Sequence, residues 1–306
     1  MSRILVIRLG ALGDVIQGFG PFAAIRAHHP AARITLLTTP PYARLLGAAP
    51  WFDAIWDDGR PRTLRGLASL ARRLAGAGFG RVYDLQTSNR TDWYRALLPR
   101  ADWSGTAWGA SHRHPRSEAR RALHTIDRQR VQLGIAGISD FPAPDLGWLA
   151  EDVAGFGLPP AYALLVPGAS PHRPGKRWPT ACFARFAGEA SLPCVILGGP
   201  PEAGIAAEIR AAAPGAIDLT GQTSLPAIAS LARGAAFALG NDTGPTHLIA
   251  ATGCPTLALF GADSDPALCA PRGPATQVLR HIPLGDLTVS QVAAAVSALP
   301  RSGSPR

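Results

Sequence analysis

Three short stretches of this sequence gather residue types that can do chemistry, and each follows a run of apolar residues. The first is Arg8-Leu9-Gly10-Ala11-Leu12-Gly13-Asp14. Its glycines let a backbone turn tightly and approach a ligand closely. Asp14 opens a helical pattern, where the helix dipole favours a carboxylate as a cap or first-turn residue. The same carboxylate could take a proton from a hydroxyl held nearby. Two glycines without GxGxxG spacing argue against a nicotinamide dinucleotide site. The second stretch is Pro167-Gly168-Ala169-Ser170 with Lys176-Arg177-Trp178-Pro179. It sets a hydroxyl, an ammonium and a guanidinium on a Gly/Pro loop, which suits a diphosphate: lysine acts as a compact point charge and arginine as a fork. Lys176 is the only lysine in the chain. An ordinary surface charge pair is the plainer alternative.

The third stretch is Gly240-Asn241-Asp242-Thr243-Gly244-Pro245-Thr246-His247. It opens an apolar helix, and Pro245 fits a first helical turn. The free amides of Thr243 and Gly244, with the helix dipole, make an anion site. Asp242 or Thr243 could also serve simply as the cap. His247 could pack in the core, or it could orient a phosphate or Asp242.

The elements that must hold these stretches alternate along the whole chain. Strands are expected at residues 4–9, 33–38, 53–56 and 81–85, with helices at 13–28 and 64–76 between them. Residues 111–134 read as a basic, helical stretch, and 137–161, rich in Pro and Gly, as an interdomain connection. The pattern then restarts, with strands at 162–166, 194–197, 216–219, 235–239 and 256–260. Helices are expected at 179–190, 202–212, 225–232, 244–252 and 289–299. Continuous apolar strands separated by helices imply parallel sheets covered on both faces. The expected architecture is α/β, with two doubly wound Rossmann-like lobes, 1–157 and 158–306. Their strands' carboxyl ends would face a central cleft that takes the ligand.

Composition narrows the class. The chain has 306 residues, 47% hydrophobic and 17% charged, enough apolar content for two cores. Cys182, Cys194, Cys254 and Cys269 form no CxxC pair and read as reduced thiols. The run Ile4-Leu5-Val6-Ile7 is too short for a secretory leader, and no apolar run reaches the ~20 residues a membrane span needs. Net charge is +9, and residues 1–157 carry most of the excess, with 20 arginines against 13 acidic residues. That imbalance fits a solvated basic face or an anionic partner. No nucleic-acid motif accompanies it, and aromatics do not interleave with the arginines.

Residues 241–247, with Ala250-Ala251 and 255–261, resemble the hallmark of the ADP-heptose:lipopolysaccharide heptosyltransferases, glycosyltransferase family 9. The opening GxLGD segment and the Pro-Gly-Ala-Ser…Lys-Arg-Trp-Pro segment resemble the same family in the same order, so the likeness covers nearly the whole chain. The resemblance implies a GT-B fold and an inverting transfer with no cofactor and no metal, from ADP-heptose to an inner-core lipopolysaccharide acceptor. It assigns Asp14 as the catalytic base. Ser170, Lys176, Thr243 and Gly244 would meet the diphosphate, Asp242 the donor sugar, and Glu202 the nucleotide ribose, with His247 completing the donor side. The first lobe would bind an anionic glycolipid acceptor, with Arg60, Arg90, Arg95, Arg113 and Arg120 as candidates. The implied location is the cytoplasm, with room for peripheral attachment at the inner face of the inner membrane. Other readings are a GT-B transferase or epimerase acting on another nucleotide-sugar, and a non-catalytic nucleotide-sugar-binding scaffold.

Overall fold

The apolar runs become strands buried on both faces. Ile4, Leu5, Val6 and Ile7 of β1 (Arg3–Ile7) are all shielded from solvent, and so are all five residues of Thr256–Phe260. In the computed structural model, which describes residues 2–300, β1 shares a sheet with β2 (Arg33–Leu37), β3 (Ala54–Trp56), β4 (Arg81–Asp84), β5 (Asp102–Gly105) and β6 (His112–Arg113). A second sheet holds β7 (Ala163–Val166), β8 (Cys194–Ile196), β9 (Ile217–Asp218), β10 (Phe237–Asn241), β11 (Thr256–Phe260) and β12 (Thr276–Arg280). The orders are β3-β2-β1-β4-β5-β6 and β12-β11-β10-β7-β8-β9, with every neighbouring pair parallel. Counted within its own sheet, each follows the doubly wound order 3-2-1-4-5-6. Each therefore has a switch point where the winding reverses, between β1 and β4 and between β7 and β10.

The chain divides into compact units Met1–Trp148 and Leu149–Arg306, nine residues ahead of the expected 157/158 junction. Side-chain contacts explain where it parts. Trp148 packs edge-on against Phe19 and Trp51 of the first unit. Leu149 and Glu151 instead bond to the second: Arg233 Nη1 donates to the Leu149 carbonyl at 2.6 Å, and the Glu151 amide donates to Ser230 Oγ at 2.9 Å.

Each unit has its own core. In the first, Leu70 and Leu74 from the amphipathic helix Leu64–Gly76 pack under Leu5, Ile7 and Trp103. In the second, Trp178 and Phe183 pack with Leu165, Ile196 and Leu239. Truncating either buried aromatic to alanine would cost about 3–5 kcal/mol.

Local differences from the sequence reading have local causes. The helix expected at 13–28 is two, Leu12–Ile16 and Phe19–His28. The Gly18 amide closes back on the Val15 carbonyl at 3.0 Å and ends the first, so Phe19 and Phe22 can turn onto Trp51. The basic stretch 111–134 contributes the short edge strand β6, then helices Glu118–Ala122 and Thr125–Ile135. Strands β5 and β12 were not anticipated: the first is a four-residue strand ending in glycine, and the second is a partly exposed edge.

Candidate active site

In the second unit, the loops after β7 and β10 meet at the switch point. Asn241 ties them together: its Oδ1 accepts the Trp178 amide at 3.1 Å, and its Nδ2 donates to the Pro167 carbonyl at 2.7 Å. Close packing fixes the strand end. A Cβ on Gly240 would lie 2.5 Å from Thr246 Oγ1 and 2.9 Å from Val166 Cβ. The Thr246 hydroxyl in turn donates to the Asn241 carbonyl at 2.8 Å. The helix Gly244–Ala251 then starts with Thr243 as its N-cap residue and no side-chain cap bond, so no capping side chain claims its first-turn amides.

Three predicted donor-side residues converge at this helix start. Lys176 Nζ lies 2.5 Å from Asp242 Oδ2, and His247 Nε2 lies 3.2 Å from Asp242 Oδ1. The Asp242 side chain is 4% exposed and the Lys176 side chain 13%. Burial alone would raise the Asp242 carboxyl, but hydrogen bonds from His247 and Lys176, together with their charge, hold it at about 2. It is therefore a fixed anion that keeps an ammonium at the mouth of a helix.

The first unit's switch point is built around Arg8, which the sequence places at the head of the first stretch without revealing its role. Arg8, only 5% exposed, follows β1 directly. Its Nε donates to the Asp14 carbonyl at 3.0 Å, its Nη1 to the Leu85 carbonyl at 2.5 Å, and its Nη2 lies 3.1 Å from Asp14 Oδ1. Asp14 Oδ2 also accepts the Ala11 amide at 3.1 Å. The first-turn role weighed for Asp14 is thus real, yet its side chain stays 46% exposed and open to a second partner. Gly10 has φ +116°, and a Cβ there would lie 2.4 Å from Tyr42 Cε2, so the turn requires glycine.

Across the same switch point, Asp84 ends β4 fully buried. Its Oδ1 accepts the amides of Gln86 at 3.1 Å and Thr87 at 2.9 Å, and Gln86 Oε1 returns to the Leu9 amide at 2.8 Å. Burial, only partly offset by the Thr87 amide bond, pushes the Asp84 carboxyl up to about 7. Thr87 itself has φ +48°, a conformation costly for a β-branched residue, roughly 1–3 kcal/mol. Its hydroxyl accepts from Arg120 Nη2 at 3.0 Å and its carbonyl from Arg116 Nη2 at 3.2 Å. The signal that could have found Arg8 and Asp84 is a charged residue closing an otherwise apolar buried strand.

The remaining predicted residues spread out. Ser170 is exposed on the loop after β7. Glu202 Oε2 accepts the Gly199 amide at 2.8 Å, beyond the end of β8, and the side chain also lies against Gly168. Arg60 and Arg90 line one cavity of about 790 Å³ at the carboxyl ends of β2 and β3, beside Asp57, Asp58 and Arg62. Arg120 is buried against Thr87, Arg95 donates to the Gly109 carbonyl, and Arg113 is exposed on edge strand β6. Among the described residues, no group of three or more His, Cys, Asp or Glu side chains could hold a metal ion, and no helix is long and apolar enough to cross a membrane.

No curated protein sequence matches the chain. Solved structures do. A glycosyltransferase family 9 protein from Veillonella parvula DSM 2008 superposes with a TM-score of 0.79 at 21% identity, covering 97% of this chain and 96% of that one. The E. coli ADP-heptose LPS heptosyltransferase II gives 0.76 at 22%, covering 97% and 98%. The E. coli heptosyltransferase WaaC, solved with ADP, gives 0.73 at 18%, covering 96% and 99%. At these identities the likeness establishes the fold, which is GT-B. The sequence profile of Glycosyltransferase family 9 (heptosyltransferase) matches residues 67–287, a span that holds the Lys176, Asp242 and His247 cluster and the uncapped helix start. With that profile matched over more than half of its length, the chain is a glycosyltransferase and belongs to glycosyltransferase family 9, the heptosyltransferases.

Proposed function

We propose that the chain transfers heptose from ADP-heptose to an anionic glycolipid of the lipopolysaccharide inner core, with inversion and without a metal. It would work in the cytoplasm, at the inner face of the inner membrane. The observation that carries this reading is the state of Asp14: a half-exposed carboxylate whose orientation is fixed by a buried guanidinium. A carboxylate needed only as a helix cap has no use for Arg8.

In this reading the donor's diphosphate rests on the amides at Thr243 and Gly244, aided by Lys176 and Ser170. Asp242 and His247 position the ammonium and meet the donor sugar, and Glu202 meets the ribose. Arg60 and Arg90 take the acceptor's negative charge in their shared cavity, with Arg95, Arg113 and Arg120 as further acceptor candidates. Asp14 accepts the proton of the acceptor hydroxyl. The oxygen attacks the anomeric carbon from the face opposite the leaving group, the bond from carbon to diphosphate oxygen breaks, and ADP departs.

General-base help is worth roughly 10²–10⁴-fold. Asp14→Asn should therefore lower kcat by about that factor while leaving the dissociation constant for the nucleotide-sugar within about twofold. Equal loss of donor binding and turnover would make Asp14 a structural residue. Donor consumption at the full rate with no acceptor present would replace transfer by epimerisation or hydrolysis.

A further inference from the structure

Among the described residues of the first unit six large apolar side chains are exposed; Val131 and Ile135 share one helix, and the other four lie on adjoining elements elsewhere. Trp108 is 86% exposed, Trp93 78%, Leu64 88% and Leu67 42%. Single exposed apolar residues are ordinary, but two nearly bare tryptophans on adjoining elements are not. Contacts hold these elements side by side. Trp93 sits on the helix Asn89–Arg95, with Arg90 one turn behind it on the same face. On one flank, Arg90 Nη1 donates to the Pro61 carbonyl at 3.4 Å and Tyr94 OH to the Gly59 carbonyl at 2.9 Å, which fastens the loop leading into the helix that carries Leu64 and Leu67. On the other flank, Thr106 Oγ1 donates to Asp92 Oδ1 at 3.1 Å and Arg95 donates to the Gly109 carbonyl, which fastens the loop that carries Trp108. Ala107, buried next to Trp108, anchors that loop in the core.

The surroundings are cationic. Arg62, Arg65 and Arg90 are all exposed among these side chains; Asp92 is paired with Arg116 at 2.8 Å and Asp58 with Arg73 at 3.3 Å, which leaves Asp57, on the cavity side, as the nearby exposed acid. Tryptophan with its amphipathic ring prefers the headgroup level of a bilayer, and arginine beside it seeks lipid phosphate. We propose that Trp93, Trp108, Leu64 and Leu67, with Arg62, Arg65 and Arg90, form a docking face for a bilayer containing anionic lipid. The face adjoins the cavity that Arg60 and Arg90 line, because Pro61, Arg62 and Thr63 border both. A lipid-anchored acceptor could then offer its sugar to that cavity without leaving the membrane. That purpose rests on the acceptor proposed above, whereas the docking itself is measured without donor, acceptor or turnover.

The test is flotation of the full chain with vesicles of phosphatidylcholine alone and with phosphatidylglycerol added. Binding should require the anionic lipid. The pair Trp93→Ser and Trp108→Ser should weaken it by roughly tenfold or more, with the pair Leu64→Ser and Leu67→Ser acting in the same direction. Arg65→Gln should weaken it about fivefold. Because all these side chains face solvent, the thermal unfolding midpoint should stay put, which separates lost docking from lost folding. The proposal is overturned if the wild-type chain does not float, if it floats equally on neutral vesicles, or if both paired variants bind as wild type does. It is also overturned if sedimentation shows a dimer that the tryptophan pair dissolves, since a second copy would then be what covers the face.

Discussion

Two sheets of identical winding order carry a buried aspartate at the same topological place, and the two aspartates behave in opposite ways. Asp242, at the end of β10, is clamped between Lys176 and His247 and held at about 2. Asp84, at the end of β4, is pushed up to about 7 by burial that its hydrogen bonds only partly offset. The fold therefore fixes where a carboxylate sits, while a few loop residues fix its charge. The second unit keeps a paired cation ready beside an uncapped helix, an arrangement suited to an incoming anion. The first unit uses its buried cation to hold a different carboxylate, Asp14, half in solvent.

Breaking the clamp in the second unit should have the largest effect on stability. Asp242→Ala would leave Lys176 buried without its counter-charge, at a cost of about 3–5 kcal/mol. The denaturant midpoint of the transition that follows the second unit should fall accordingly, while Lys176→Met with Asp242→Asn together should recover much of it. If Asp242→Ala costs less than about 1 kcal/mol, the pair is not the electrostatic core of this switch point.

The opposed shifts also predict opposed pH dependences. For Asp242, the folded value of about 2 lies below the ordinary 3.8, so its contribution is present above 3.8 and lost as pH falls toward 2. For Asp84, the folded value of about 7 lies above 3.8, so the folded chain binds the extra proton between those values. Stability then declines as pH rises from about 4 to 7, and the full penalty, on the order of a few kcal/mol, applies above 7. Asp84→Asn keeps an acceptor for the Gln86 and Thr87 amides and removes that slope. It should be close to wild type at pH 4 and more stable at pH 8 by urea denaturation. A variant less stable than wild type at both values would show that the carboxylate is stabilising as an anion.

Much of this arrangement was legible in the sequence because backbone chemistry announces itself in residue type. Continuous apolar runs gave the central strands of both sheets, and Gly-Asp, Gly-Ala-Ser and Asp-Thr-Gly stretches marked three of the four switch-point loops. The GT-B fold followed from the resemblance those loops carry. The fourth loop, Gln86-Thr87, has no glycine; its left-handed residue is a threonine held by side chains distant in sequence, so no local pattern reports it. The role of Arg8 was hidden partly for the same reason: Asp14 is only six residues on, but Leu85 and Asp84, which complete its surroundings, lie more than seventy residues away. The inner strand β5 and the edge strands β6 and β12 were missed because short or half-exposed strands lack a continuous apolar run.

A smaller effect sharpens the first unit's side of the comparison. Arg8→Lys keeps the buried positive charge but loses the planar fork that reaches the Asp14 backbone, its carboxylate and Leu85 together. With Asp14 as the proposed base, Arg8 would act through it, so the expected loss is about tenfold in kcat with the donor KM nearly unchanged, and the pH at which kcat falls on the acid side should move. Arg8→Met should be markedly worse. If Lys and Met variants lose activity and stability in equal measure, with an unmoved pH profile, Arg8 only supports the fold.

The smallest expected effect concerns Glu202, where structural and binding roles can be separated in one substitution. Its Oε2 accepts the Gly199 amide at 2.8 Å, a bond that glutamine's carbonyl oxygen can reproduce. Glu202→Gln should therefore change stability by less than about 0.5 kcal/mol. A carboxylate that also accepted a ribose hydroxyl would lose a charge-assisted bond, which is about twice as strong as a neutral one. The donor KM should then rise a few-fold with kcat unchanged, and a competing nucleoside diphosphate should weaken by the same factor. An unchanged KM would assign Glu202 to the turn alone and move the ribose contact to another side chain of the β7 or β8 loop.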